Sequence, residues 1–362
     1  MSLSTSPVSA PASIERVSLP PVAGEFSRLA LGGWVLGGTQ WGVQSVQDSR
    51  AVMEAALRRQ INHFDTTAWF GAGASERMIG EFLKRDEHRR DHLLIATKLL
   101  AGDLTAGNVR EHIEASLQRL GVEVIDLLYV DFPGPVAASG GQAGGATDLR
   151  PLFTELCLLR DEGRVRGLGL SQCGVAHLEQ AMEVCPVDVV QSTYNLLWRQ
   201  AERQLLPFCA QHQIAFIACG PLAMGILAGQ FPLLVDFARG DIRGKTVWFE
   251  SAPGPGAPGA PGAPGAPRAA GVWPMVHAAV EKMKALAIEA KRPLTHLALR
   301  WLLRQPLVRS VIAGARSSVQ LNELAGAMTG PVDDAILDKL TAISDELSPC
   351  LPEATNVFRY CP

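Results

Sequence analysis

Residues 63–80, HFDTTAWFGAGASERMIG, decide the fold. A short apolar run over residues 61–64 ends at Asp65. Thr66 and Thr67 follow, then a Gly-Ala-Gly-Ala loop at 71–74. Behind Ser75 come Met78, Ile79, Phe82 and Leu83 at helical spacing. The stretch reads as a strand, a loop and a capped helix, with a carboxylate at the carboxyl end of the strand. In a barrel of alternating strands and helices, that end carries the chemistry.

The same alternation runs outward in both directions. RLALGGW, residues 28–34, is an apolar strand ending in glycines. Helical spacing follows at 49–60, with Asp48 as the expected N-cap. Strands are expected at 61–65, 92–97, 124–130, 165–170, 187–191, 214–219 and 308–313. Helices are expected at 75–84, 106–120, 149–162, 176–184, 201–212, 275–290, 294–304 and 317–328, and a terminal helix at 331–347. Gly121 and Gly163 close two of them. The strands are near-continuously apolar, as parallel strands buried on both faces should be. Eight strand–helix units close naturally as a (β/α)8 TIM barrel of the α/β class. An open doubly wound sheet is the structural alternative. Residues 14–19 and 26–31 read as further strand segments, the first as part of an N-terminal β-hairpin plugging the barrel floor.

One domain is therefore expected over residues 14–347. A Ser/Pro/Ala-rich tail precedes it at 1–13 and a C-terminal tail follows at 348–362. Two low-complexity loop insertions interrupt it, a Gly/Ala-rich stretch at 134–147 and Pro-Gly-Ala triplets at 253–267. The chain has 362 residues, is 47% hydrophobic and carries a formal charge of −3. That suits a barrel of roughly 250 residues with insertions, and gives no electrostatic case for nucleic acid or a membrane surface. Seven cysteines without C-x-x-C spacing argue for a reducing compartment and against a zinc module. The first residues do not read as a signal peptide, and no apolar run approaches the ~18 residues of a membrane helix. A cytoplasmic protein with a small-molecule partner is expected.

Polar residues line up at the strand ends: Asp65, Lys98, Asp131, Ser171, Gln191 and Cys219, with Gly314 after the last strand. Such residues can simply be solvated. The opening stretch, however, resembles the aldo-keto reductase family, whose motif here runs H-F-D-T-A-x-x-Y-G-x-G-x-S-E-x-x-x-G. Phe64, Asp65, Thr66, Gly71, Gly73, Ser75, Glu76 and Gly80 match it. IATK (95–98), LQRLGVEVIDLLYV (117–130), GRVRGLGLSQ (163–172) and VVQSTYNLLWRQAE (189–202) follow in the family's order. GPLAMGILAG (220–229), FARGDIR (237–243) and VIAGARSSVQLNEL (311–324) complete the set.

The resemblance implies a TIM barrel holding an extended nicotinamide cofactor across the carboxyl ends of its strands, and a carbonyl or alcohol as substrate. The family's catalytic set is Asp, Tyr, Lys and His. Asp65 and Lys98 remain here, but Phe70 stands for the tyrosine and Asp131 for the histidine. The cofactor motifs are better kept. Gly314, Arg316, Ser317, Gln320 and Glu323 match the adenosine-phosphate segment, which favours NADP over NAD. Ser171, Gln172 and Gln191 match the nicotinamide-amide set, and Cys219 stands where an aromatic often stacks. Gly220, Pro221, Leu222, Ala223 and Gly225 match the loop that wraps the pyrophosphate, and Gly33 and Trp34 join the cofactor set.

Phenylalanine cannot donate a proton, and general acid catalysis contributes about 10²–10⁴-fold where it operates. The expectation is thus an NADP-dependent oxidoreductase with a non-standard proton relay. In it Asp131 is either the replacement acid or an anchor for Lys98. A catalytically silent NADP-binding relative and a non-redox lyase or isomerase are the alternatives. His63 reads as structural, and Cys219 as an inert small hydrophobe.

Overall fold

A computed structural model describes residues 14–38, 41–132, 148–238, 240–249, 271–352 and 356–358. An antiparallel hairpin comes first, β1 (Arg16–Leu19) paired with β2 (Val22–Ser27). Eight parallel strands follow: β3 (Leu29–Gly32), β4 (His63–Asp65), β5 (Leu94–Leu100), β6 (Ile125–Asp131), β7 (Val165–Ser171), β8 (Val189–Thr193), β9 (Ala215–Cys219) and β10 (Val308–Ala313). They pair in chain order, and β10 closes on β3, so the sheet has no edge. The expected (β/α)8 barrel is the fold, and an open sheet is excluded.

Helices α1 (Val46–Arg58), α2 (Ala74–Leu83), α3 (Val109–Leu120), α4 (Arg150–Asp161), α5 (Val175–Met182) and α6 (Leu205–Gln211) connect the first seven barrel strands and lead from the sixth to the seventh. Two more, α8 (Leu294–Arg304) and α9 (Ser318–Gly326), flank β10 in sequence. The remaining pair, α7 (Trp273–Glu289) and α10 (Asp334–Leu347), pack on each other and on α8. Every other residue of a barrel strand faces inward, which produces two cores. The outer one lies between strands and helices. The inner one joins Ala30, Leu94, Ala96, Leu127, Val189, Ile217 and Ile312 to Leu19, Val22 and Phe26 of the hairpin. The hairpin therefore plugs the barrel floor.

Three local expectations shift. Residues 26–31 are not one strand: Phe26 and Ser27 end β2, Arg28 turns the chain, and β3 begins at Leu29. The cap of α1 is Ser45, not Asp48. The Ser45 hydroxyl accepts from the Asp48 N–H at 2.9 Å and donates to the Asp48 carboxylate at 2.6 Å, so the helix starts at Val46. Lys98 does not follow its strand but lies inside β5, opposite Tyr129. The low-complexity stretches at 134–147 and 253–267, and the tail at 1–13, lie outside the described residues.

Candidate active site

A cavity of about 570 Å³ opens over the carboxyl ends of the barrel strands. The opening motif builds its floor. Asp65 ends β4, and its carboxylate pairs with the Lys98 ammonium at 2.5 Å. Lys98 also donates to the Thr66 carbonyl at 3.0 Å, and the Gln191 amide donates to the other Asp65 oxygen at 2.8 Å. All three side chains are buried, so each charge is matched by a partner, as low-dielectric surroundings require. The motif's Ser and Glu serve the scaffold. The Thr66 hydroxyl donates to Ser75, which donates to the Gly33 carbonyl, tying the loop to β3. Glu76 accepts from Thr97 at 2.6 Å and from Arg119, tying α2 to β5 and α3.

The loop after Asp65 carries the aromatic wall. Phe70 stacks on Trp34, with centroids 5.2 Å apart and planes 8° from parallel, while Trp69 meets Phe70 edge-on at 4.7 Å. Gly71 permits this approach. It has φ +60°, and a Cβ there would lie 2.2 Å from the Gly37 carbonyl oxygen. Phe358, distant in sequence, packs edge-on against Trp34 and also lines the cavity. The Lys98 ammonium lies 5.9 Å from the Phe70 ring centroid.

Asp131 sits at the end of β6, 3% exposed. One carboxyl oxygen accepts from the Trp69 indole at 3.2 Å, and the other has no hydrogen-bond partner among the described residues. Burial pushes its pKa above the usual carboxylate range. The Lys98 charge and hydrogen bonds from Ser171 and Trp69 pull downward without cancelling that effect, and the Asp65 charge adds to it. The ion-pair partner of Lys98 is Asp65, and no ion pair joins Lys98 to Asp131 among the described residues. Burial also drives His63 down to about 3, with the Lys98 charge acting the same way, so its imidazole is neutral. The Cys219 thiol is pushed up to about 12 by burial, which leaves it protonated and a poor nucleophile.

From this floor the cavity runs toward the β10–α9 junction. The Gln172 amide donates to the Thr193 hydroxyl at 3.1 Å and to the Cys219 sulfur at 3.3 Å. Phe132 (φ 48°) and Gln172 (φ 53°) hold left-handed conformations just past their strands, as do Ala223 and Met224 in the loop after β9. Such strain gathers at functional sites. At the far end the Ser317 hydroxyl caps α9 by accepting from the Gln320 N–H. Arg316 donates to the Val43 carbonyl at 2.9 Å, and no carboxylate pairs with it among the described residues.

All the candidate site residues named from sequence line this one cavity except Ala223 and Ser317, and His63, read as structural, does not line it. Trp41, Trp69, Thr193, Phe231, Arg243 and Phe358 line it as well and were not singled out. Thr193 was readable, because it follows Gln191 by two on a strand and must share its face. Trp69 lay beside Phe70 in the opening stretch. Phe358 had no local signal.

A model described as the Aldo/keto reductase family matches residues 28–345. The chain belongs to that family. Among its relatives is the aldo-keto reductase YhdN of Bacillus subtilis (strain 168), 28% identical over 350 residues, which are 93% of this chain and 97% of that protein. The NADH-specific methylglyoxal reductase of Escherichia coli (strain K12) is 26% identical over 337 residues, 86% and 92% of the two chains. The aldo-keto reductase yakc [NADP(+)] of Schizosaccharomyces pombe (strain 972 / ATCC 24843) is 29% identical over 218 residues, 57% and 61%. A solved glycerol dehydrogenase from Gluconobacter oxydans superposes with a TM-score of 0.75 at 25% identity, covering 93% of this chain and 97% of its own. Aldo-keto reductases are oxidoreductases that work with nicotinamide cofactors, and the relatives include NADH- and NADP-named members. Among the described residues no helix is long and apolar enough to cross a membrane.

Proposed function

We propose that this aldo-keto reductase interconverts a carbonyl and an alcohol with NADP(H), using Asp131 where the family's motif leads one to expect other proton-handling groups. The observation that carries the reading is the unpartnered oxygen of a buried Asp131, whose pKa burial raises, in the same cavity as Lys98. The donor set fits a nicotinamide dinucleotide. Ser171, Gln172 and Gln191 offer hydroxyl and amide groups to a carboxamide, and Gly33 and Trp34 lie alongside them. Residues 220–225 offer a tightly curved backbone to the diphosphate. Arg316 and the N-terminus of α9 suit a terminal phosphate, with Gln320 and Glu323 beside them. When bound, the nicotinamide supplies hydride to the carbonyl carbon.

The chain's own residues supply the rest. The Lys98 ammonium, held by Asp65 and Thr66, polarises the carbonyl oxygen. Asp131 holds a proton on its carboxyl group and passes it to that oxygen as negative charge develops there, leaving a carboxylate that solvent reprotonates through the open cavity. The aromatic wall of Trp34, Trp69, Phe70 and Phe358 excludes water from the reacting atoms. The test adds NADPH and follows quenching of tryptophan fluorescence, then NADPH consumption with a panel of aldehydes. Absence of saturable binding overturns the reading. One observation favours a silent NADP-binding relative instead: Phe70, stacked on Trp34, presents no hydroxyl. Saturable binding without consumption of any aldehyde is that reading's outcome.

A further inference from the structure

Two residues that line the cavity have no part in the reading above, and they touch each other. Trp41 lies in the connection from β3 to α1, and Arg243 in the connection from β9 to α7. The carbon at the centre of the Arg243 guanidinium stands 5.8 Å from the Trp41 ring centroid. In the barrel, β10 lies between β9 and β3. The contact therefore joins two connections that flank the carboxyl end of β10. Ile312 and Ala313 of that strand, and Gly314 after it, line the same cavity.

Each side of this span is held separately. The Gln44 amide donates to the Arg316 carbonyl at 3.0 Å, and the Arg316 guanidinium donates to the Val43 carbonyl at 2.9 Å. The chain just after Trp41 is thus tied to the β10–α9 turn. Trp41 also meets Trp34 edge-on, with centroids 5.6 Å apart. On the other side, Arg243 ends the FARGDIR motif. Its guanidinium donates to the Asp241 carboxylate through Nε at 2.9 Å and Nη2 at 2.6 Å. It also lies over Phe231 and Phe237, which pack with Phe249 and with Trp273 of α7. Both arms are anchored, and one cation–π contact joins them.

We propose that Trp41 and Arg243 are cofactor-binding residues that act together as a latch over the dinucleotide. Ser171, Gln172 and Gln191 stand at the carboxyl ends of β7 and β8, and Arg316 lies past the end of β10. A dinucleotide that reaches both has to cross the ends of β9 and β10. The second of these is the strand end that the Trp41–Arg243 contact spans. The strand ends are then its floor and the latch its roof, so the cofactor leaves only when Trp41 and Arg243 part. A single cation–π contact is weak enough to open and strong enough to slow that step. The inference rests on the cofactor half of the proposed function and is independent of the proton relay.

The test follows NADPH release from the full chain by stopped flow, read from the fluorescence of NADPH itself while excess NADP traps the emptied protein. Trp41→Leu and Arg243→Met should each speed release roughly 2- to 30-fold, the range of one cation–π contact. Trp41→Phe keeps a ring face and should fall between native and Trp41→Leu. The double variant should release no faster than the quicker single, because either change alone opens the latch. If Trp41→Leu does not fold, Trp41→Phe, Arg243→Met and their double variant carry the same comparison. Release unchanged in the single variants overturns the latch. Accelerations that multiply in the double variant overturn it too, because they are the mark of two independent packing roles. A native chain that binds no NADPH sinks the cofactor reading and the latch with it. Faster, coupled release in a protein that reduces no carbonyl leaves the latch standing and sinks only the reductase reading.

Discussion

Replacing Asp131 by Asn tests the proton relay with the least disturbance of shape. The two side chains are nearly isosteric, and the amide oxygen can still accept from the Trp69 indole, now 3.2 Å from the carboxylate. The acidic proton is what disappears. If Asp131 is the acid, kcat should fall by about 10²–10⁴-fold, equivalent to ~3–5.5 kcal/mol of transition-state stabilisation. NADPH affinity should hold, because Arg316 and the α9 junction lie at the other end of the cavity. Stability supplies a second reading of the same group. Burial raises the folded-state pKa of Asp131. Its contribution to stability is therefore complete below the unfolded value of about 3.9 and is lost as pH rises through the folded value. Asn cannot ionise, so the variant should lose less stability than the native protein over the same rise. Native kcat should decline over that range too, as the proton-donating form is depleted. The assay is single-turnover NADPH oxidation with a reactive aldehyde, paired with thermal melts across pH. Unchanged turnover in Asp131→Asn would refute the aspartate-acid mechanism, whatever the melts show.

Phe70→Tyr restores the family's phenol beside Lys98, and should raise turnover of simple aldehydes by roughly tenfold or more, within the range of general acid catalysis. Turnover no higher than native would mean that position 70 does not face the carbonyl. Arg316→Ala should weaken NADPH by about 1.5–3 kcal/mol, or roughly 10–150-fold, and NADH far less. Equal losses, read by fluorescence titration, remove Arg316 from the terminal phosphate. Gly71→Ala forces a side chain against the Gly37 carbonyl in a left-handed conformation. Overpacking at about 1–3 kcal/mol plus a backbone term of about 1 should lower Tm by about 3–6 °C, and an unchanged melt would contradict the close approach.

The barrel was legible because parallel buried strands leave an apolar signature, and each run ended in a polar residue or glycine. Element edges were less so. At α1 the cap is a reciprocal Ser45–Asp48 pair, and both residues are good caps, so composition alone did not choose between them. At residues 26–31 two strands of opposite role share one apolar run, and only the plugging of the floor separates them. The floor of the site was readable from motif and strand period. Its aromatic wall was partly hidden, since a Trp or Phe in a loop carries no periodicity that distinguishes packing from lining. Arg243 shows the same difficulty. It lines the cavity while paired to Asp241 and set over the rings of Trp41, Phe231 and Phe237, a group assembled from distant segments.

Phe358 has a consequence for how the protein is made. Val357 is fully buried and its carbonyl accepts from the Val247 N–H at 2.8 Å, so residues 356–358 are fastened into the structure beside Trp34. Chains emerge from the ribosome from the N-terminus onward, at about 5–20 residues per second. The sheet has all its strands once Ala313 has emerged, but the cavity gains this wall only after Phe358 has been synthesised. A nascent chain can thus close its barrel for seconds before it owns a finished pocket.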